Sequence, residues 1–199
     1  MERSWNEFAD TEIGRARPRQ PYDPGEPDRV NRMIEDVESL DPDERADLFE
    51  QWFEDLSALY AEHEDGYVRQ SVVRVAEQFA FGLMPAVVRT PEDEDELERI
   101  SEQTDTLCGF MLVALTDEDG RVRQSAKRGL QDVFRAYDAL EETETLEALA
   151  AELDEMADEY SCSRRKHLLE TKDDALFHQT TGFSRLAKSL RWEVDGFDE

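Results

Sequence analysis

The side chains best suited to chemistry in this chain are few. Its histidines are His63, His167 and His178, and its cysteines are Cys108 and Cys162. A structural zinc site needs four clustered nitrogen or sulfur ligands. Cys162, His167 and His178 are separated by four and ten residues, with no fourth ligand in step. Asp93-x-Asp95 and Asp117-x-Asp119-Gly120 alternate carboxylates as calcium loops do, but no bidentate glutamate follows at the required distance. There is no G-x-S-x-G elbow, no phosphate-cradling P-loop and no G-x-G-x-x-G turn. With 50 Asp and Glu in the chain, close acid pairs arise from composition alone. The expectation is a protein with no metal, no cofactor and no catalytic residue. The opposing reading is an enzyme whose carboxylate site is hidden among the glutamates.

The charge says more about the solvent than about a ligand. The 50 acids face 23 Lys and Arg, for a net charge of −27. Self-repulsion on that scale destabilises a compact domain in dilute buffer. Molar salt relieves it, since the Debye length falls to about 3 Å at 1 M. Of the basic residues 19 are Arg and only four are Lys. Acid excess with lysine depletion resembles the composition of proteins from extreme halophiles. Residues 33–160 hold 10 basic and 36 acidic side chains, which speaks against a basic face for phosphates.

Two cysteines are too few for a disulfide framework. Cys108 sits in an apolar run, CGFMLVAL, and reads as a small buried hydrophobe. The N-terminus has no apolar signal core. The longest apolar run, FAFGLMPAVV, has ten residues, half of the roughly 20 that span a bilayer. A soluble cytoplasmic protein with no membrane partner is expected.

Position in this chain is set by helices. Val30, Met33, Ile34 and Val37 follow the helical period, and so do Leu48, Phe49, Trp52, Phe53, Leu56, Leu59 and Tyr60. Asp41-Pro42-Asp43-Glu44 and Thr90-Pro91-Glu92-Asp93 read as helix starts, cap first and acids in the first turn. Later stripes run through Val68–Leu83, Leu97–Leu115, Val122–Tyr137 and Leu146–Met156. No period-two segment appears. The fold class expected is all-α, with six to eight helices arranged as stacked hairpins or an irregular bundle.

One stretch is written twice. EDGYVRQSVVR (64–74) and EDGRVRQSAKR (118–128) agree at eight of eleven positions, 54 residues apart. Upstream, Phe53, Leu56 and Leu59 fall on Leu107, Phe110 and Val113. The repeated unit is therefore helix–turn–helix, and one such unit cannot bury its apolar stripe alone. Within the corner, Asp65 and Asp119 cap the second helix, Gly66 and Gly120 permit the sharp turn, and Val68 and Val122 point inward. Arg69 and Arg123 stand near a helix N-terminus, where the dipole disfavours a cation. Each is expected to hold a corner carboxylate such as Asp65, Asp117 or Asp119.

The second copy, Asp117, Asp119, Val122, Arg123, Ala126 and Leu130, resembles the HEAT repeat family. In that family an Asp at the Asp117 position and an Arg at the Arg123 position join successive units in a ladder. The first copy departs at His63 and Val72. The resemblance covers about 44–137 and implies a scaffold that binds other proteins, on the concave face of the stacked second helices.

The ends differ from the body. Residues 1–28 hold four of the seven prolines and read as a Pro/Arg-rich arm, ahead of a helical domain over 29–160. Residues 161–199 form a basic segment, with Arg164, Arg165, Lys166, Lys172, Arg185, Lys188 and Arg191 against three acids up to residue 192. Phe183, Leu186, Ala187, Leu190 and Trp192 predict a short amphipathic helix there. The segment either packs on the acidic body or docks nucleic acid or an acidic partner through Arg164, Arg165, Lys166, Arg185, Lys188 and Arg191. The function expected is a non-catalytic adaptor with a protein partner; the alternative is a nucleic-acid-binding or regulatory protein.

Overall fold

A computed structural model describes residues 34, 37–89 and 93–182. Within them lie six helices and no strand: α1 (Pro42–Glu62), α2 (Gly66–Arg89), α3 (Glu94–Leu115), α4 (Gly120–Ala139), α5 (Thr143–Glu159) and α6 (Cys162–Thr181). The fold is all-α, as the periodicity requires. The arm at 1–28 and the helix expected around 183–192 lie outside the described residues.

Local chemistry sets the helix ends. Asp41 accepts the Glu44 N–H at 2.9 Å while Glu44 reaches back to the Asp41 N–H, a capping box that starts α1. The start of α3 differs from expectation. Its N-cap is Asp93, which accepts the Glu96 N–H at 3.2 Å, and not Thr90. α2 runs through Pro85 to Arg89. By length and composition α2 could cross a membrane. In this structure it buries ten residues, among them Val72, Val75, Phe79 and Leu83, against its neighbours.

The helices pair as three antiparallel hairpins, α1/α2, α3/α4 and α5/α6. Second helices pack directly on one another, α2 on α4 and α4 on α6, so α4 is the central element. Within the first hairpin Phe49 meets Phe53 and Phe79, and between the first two hairpins Phe53 and Tyr60 meet Phe110 edge-on. Leu59 is buried there, but Val113, its counterpart by repeat position, is exposed. The third hairpin is absent from the repeat reading, because α6 buries only Leu168, Thr171, Ala175 and His178. Those positions have helical spacing, but two of the four residues are polar and one is alanine.

The corner glycines have a reason other than the one expected. Among the described residues only Gly182 has a positive φ among glycines, so neither Gly66 nor Gly120 uses left-handed backbone. Gly66 is needed for close approach, since a Cβ there would overlap the Asp119 carboxylate of the next corner. Gly66→Ala is expected to cost about 1–3 kcal/mol. Gly109, with open space around its Cβ position, is the control. Gly109→Ala should stabilise α3 by about 0.5–1 kcal/mol. Urea denaturation at fixed KCl measures both, and equal losses for the two would remove the close-approach explanation.

Candidate interaction surface

The corners carry a buried polar ladder. Arg69 grips Asp117 of the next hairpin through Nε at 2.7 Å and Nη2 at 3.0 Å. Asp117 also accepts the Tyr60 hydroxyl and the Asp119 N–H, both at 2.7 Å. The side chains are 17% and 5% exposed. Burial by itself would raise the Asp117 pKa, but Arg69, the Asp119 N–H and the Tyr60 hydroxyl outweigh it and hold the carboxyl below its ordinary range. Burial and the Asp117 bond push the Tyr60 hydroxyl up.

The same arginines resolve the dipole conflict at the second-helix starts. Arg69 Nη1 donates to the carbonyls of His63 and Glu64, where α1 ends. Arg123 Nη1 donates to the carbonyls of Asp117 and Glu118, at 2.6 and 2.9 Å. Neither α1 nor α3 has a basic residue in its last turn. The cation that each C-terminus favours is supplied by the following helix. At the third corner Arg165 repeats the device on the Ala157 carbonyl at 2.9 Å.

Arg123 otherwise corrects the expectation of a carboxylate partner. Its Nε donates to His167 Nδ1 at 3.2 Å and its Nη2 to Ser163 at 3.1 Å. Burial and the neighbouring Arg123 hold the His167 pKa below its ordinary value, in keeping with Nδ1 as the acceptor of this bond. Asp65 and Asp119 do cap as expected, accepting the Tyr67 and Arg121 N–H groups at 2.9 Å. Val68 and Val122 are buried.

The metal and thiol candidates do not converge. Among the described residues no group of three or more His, Cys, Asp or Glu could hold a metal ion. His178 is buried, with Nδ1 3.9 Å from Asp138, beyond hydrogen-bond reach. Cys108 is buried and its thiol is pushed up to about 12 by burial. Cys162 is exposed. A disulfide-exchange reagent should therefore modify one thiol per native chain rapidly and the second only on unfolding. Cys162→Ser should abolish the fast phase; a fast phase that survives would mean Cys108 is accessible. A cavity of about 20 Å³ between α1, α2 and α3, lined by Arg45, Phe49, Phe79, Gly82 and Gln103, has room for about one water molecule.

The surface is divided by charge in a way composition hides. The first helices of the hairpins, α1, α3 and α5, carry 20 acids and two bases, a net of −18. The second helices, α2, α4 and α6, carry 12 bases and six acids, a net of +6. Among the described residues the cations therefore gather on the second helices, a distribution that the count of 10 bases and 36 acids over residues 33–160 does not show. The exposed face of α4 reads Arg121, Gln124, Arg128, Gln131 and Arg135, spaced three and four apart along one stripe. The same positions on α2 are Tyr67, Gln70, Arg74, Glu77 and Phe81. Arg128 bridges the two helices by a bidentate pair to Glu77, at 2.8 and 3.0 Å. Lys127 and Gln131 reach Glu170 and Asp174 on α6.

Exposed aromatics sit on the same layer. Phe81 on α2 and Phe177 on α6 are each 55% exposed, and Tyr67 lies under the Arg121 guanidinium, 3.5 Å from the ring centre. Gln70/Gln124 and Arg74/Arg128, repeated in the eleven-residue motif, lie along these stripes, exposed on α4 and half-buried on α2. The basic patch expected at the C-terminus is more local. Arg165 pairs with Asp158 at 3.0 Å, Lys166 with Glu170 at 3.6 Å, and Arg164 lies over the Tyr160 ring. Arg185, Lys188 and Arg191 lie outside the described residues.

The chain matches no protein-family model, no curated protein and no solved structure.

Proposed function

We propose that this chain is a non-catalytic adaptor of HEAT-like stacked hairpins that binds another protein on its second-helix face. The observation that carries the reading is the segregation of charge: among the described residues of this net −27 chain, 12 of 14 Lys and Arg lie on α2, α4 and α6, with Phe81 and Phe177 exposed there. Exposed aromatics beside arginine are the side chains that anchor protein interfaces. The Arg69–Asp117 pair supports the family resemblance, because it joins consecutive hairpins as a HEAT ladder does. A basic layer with aromatics also suits nucleic acid, which makes that the second reading.

Site-specific photocrosslinking tests the proposal. A photoreactive residue at position 81 should give a discrete protein adduct in a high-KCl lysate of the host. The same residue at position 113, exposed on α3, should not. Adducts at neither position, or at both equally, would count against a docking face on the second helices. Adducts to nucleic acid at position 81 would favour the second reading.

A further inference from the structure

We infer that the partner element docked on this face is an acidic α-helix lying along α4, with carboxylates seven residues apart against Arg121, Arg128 and Arg135. This rests on the docking reading above and names the chemistry of the partner. The three arginines recur every seven residues, which on a helix is a rise of about 10.5 Å. A facing helix returns a side chain to one face at the same interval, so one register satisfies all three. An extended strand repeats on one face every two residues, about 6.7 Å, and falls out of step. Gln124 and Gln131, between the arginines, add donors to the same stripe.

The arginines are held ready rather than consumed. Arg121, Arg128 and Arg135 are 42%, 47% and 49% exposed while paired to Asp119, Glu77 and Asp132. A guanidinium has five donors, so each retains N–H groups for a second carboxylate. The flanking helices supply apolar contact. By repeat position Phe81 is the counterpart of Arg135, and Phe177 stands on α6 one turn after Asp174, the partner of Gln131. Packed helices lie about 8–10 Å apart. Two exposed phenylalanines on α2 and α6 thus flank a helix laid over α4. The carboxylates of Glu77, Asp132, Glu170 and Asp174 among these cations disfavour a continuous phosphate backbone. A helix can set its acids over the arginines and place apolar residues between.

The probe is a fluorescein-labelled helical peptide of about three heptads, with one glutamate at the same place in each heptad and leucines beside it. A companion has the same composition with its glutamates moved off the heptad. A single-stranded and a duplex oligonucleotide complete the set. Anisotropy is read with the full chain, at the lowest KCl that keeps its far-UV spectrum native. The in-register peptide should bind about tenfold more tightly than its companion. Gln124→Glu, Arg135→Glu and Phe177→Ala should each weaken it about tenfold without changing the spectrum. Equal binding of the two peptides, or tighter binding of either oligonucleotide, overturns the acidic helix. If no probe binds while position 81 still crosslinks to protein, the helix falls and the docking face stands. Loss of that crosslink as well removes both.

Discussion

Asp117→Ala is expected to destabilise the fold by about 3–5 kcal/mol, the range for breaking a buried ion pair by removing one partner. Asp117 satisfies Arg69, Tyr60 and the Asp119 N–H at once. Removing it leaves Nε and Nη2 of the largely buried Arg69 and the Tyr60 hydroxyl without their acceptor between two hairpins. Asp117→Asn keeps one carbonyl oxygen and should lose only about 1–2 kcal/mol. Replacing both partners by apolar residues, Arg69→Met with Asp117→Leu, should recover most of the alanine loss, because no orphaned charge remains. Urea denaturation of the four proteins at one molar KCl concentration measures the series. A loss below 1 kcal/mol for the alanine variant would mean that the ladder does not couple the hairpins. The pH dependence has a definite sign. The folded-state pKa of Asp117 is depressed, so its contribution is complete above the unfolded value, near 3.9. It is lost as pH falls through the lower folded value. Wild type should therefore lose stability below about pH 4 more steeply than Asp117→Asn.

The melting temperature should rise steeply with KCl. The first-helix layer holds a net charge of −18 on three helices, and α5 has seven acids and no base. Glu152, Glu155 and Glu159 are exposed one turn apart on α5, where like charges repel. Few cations stand against these acids: Arg99 ties α3 to Asp47 and Glu50 of α1, and Lys172 reaches Asp154. Counter-ions must screen the rest. A screening gain of about 5 kcal/mol between dilute and molar KCl would raise the midpoint by roughly 10–20 °C for a chain of this size. Replacing Glu147, Glu152, Glu155 and Glu159 together by glutamine should flatten the curve. Sucrose at matched osmolality should not reproduce the rise. A midpoint indifferent to KCl would remove the saline-solvent explanation and leave the acidity to a basic partner.

Much of this was legible in the sequence because its causes are local. A helix needs only its period, its cap and the dipole at its ends. The stripes through α1 to α5, the N-cap at Asp41 and the two Asp–Gly corners could therefore be read from neighbours a few residues apart. The eleven-residue repeat likewise located both corners and singled out Arg69 and Arg123, while Asp117, one residue ahead of the second copy, was marked by the HEAT resemblance. What those residues touch was a different matter. Arg69 meets a carboxylate 48 residues away, while Arg123, its counterpart in the repeat, meets a histidine 44 residues away. Only the stacking of hairpins distinguishes the two. The third hairpin escaped notice because the buried stripe of α6 includes threonine and histidine, whose burial depends on the partners α4 and α5 provide. The charged layers were hidden for the same reason. Composition sums acids and bases over the whole chain, whereas packing decides which helix of each hairpin faces which way. Sequence alone determined an acidic all-helical chain with two like corners. The tertiary structure decided that its cations lie together, because close packing of α2, α4 and α6 brings stripes from three distant segments onto one face.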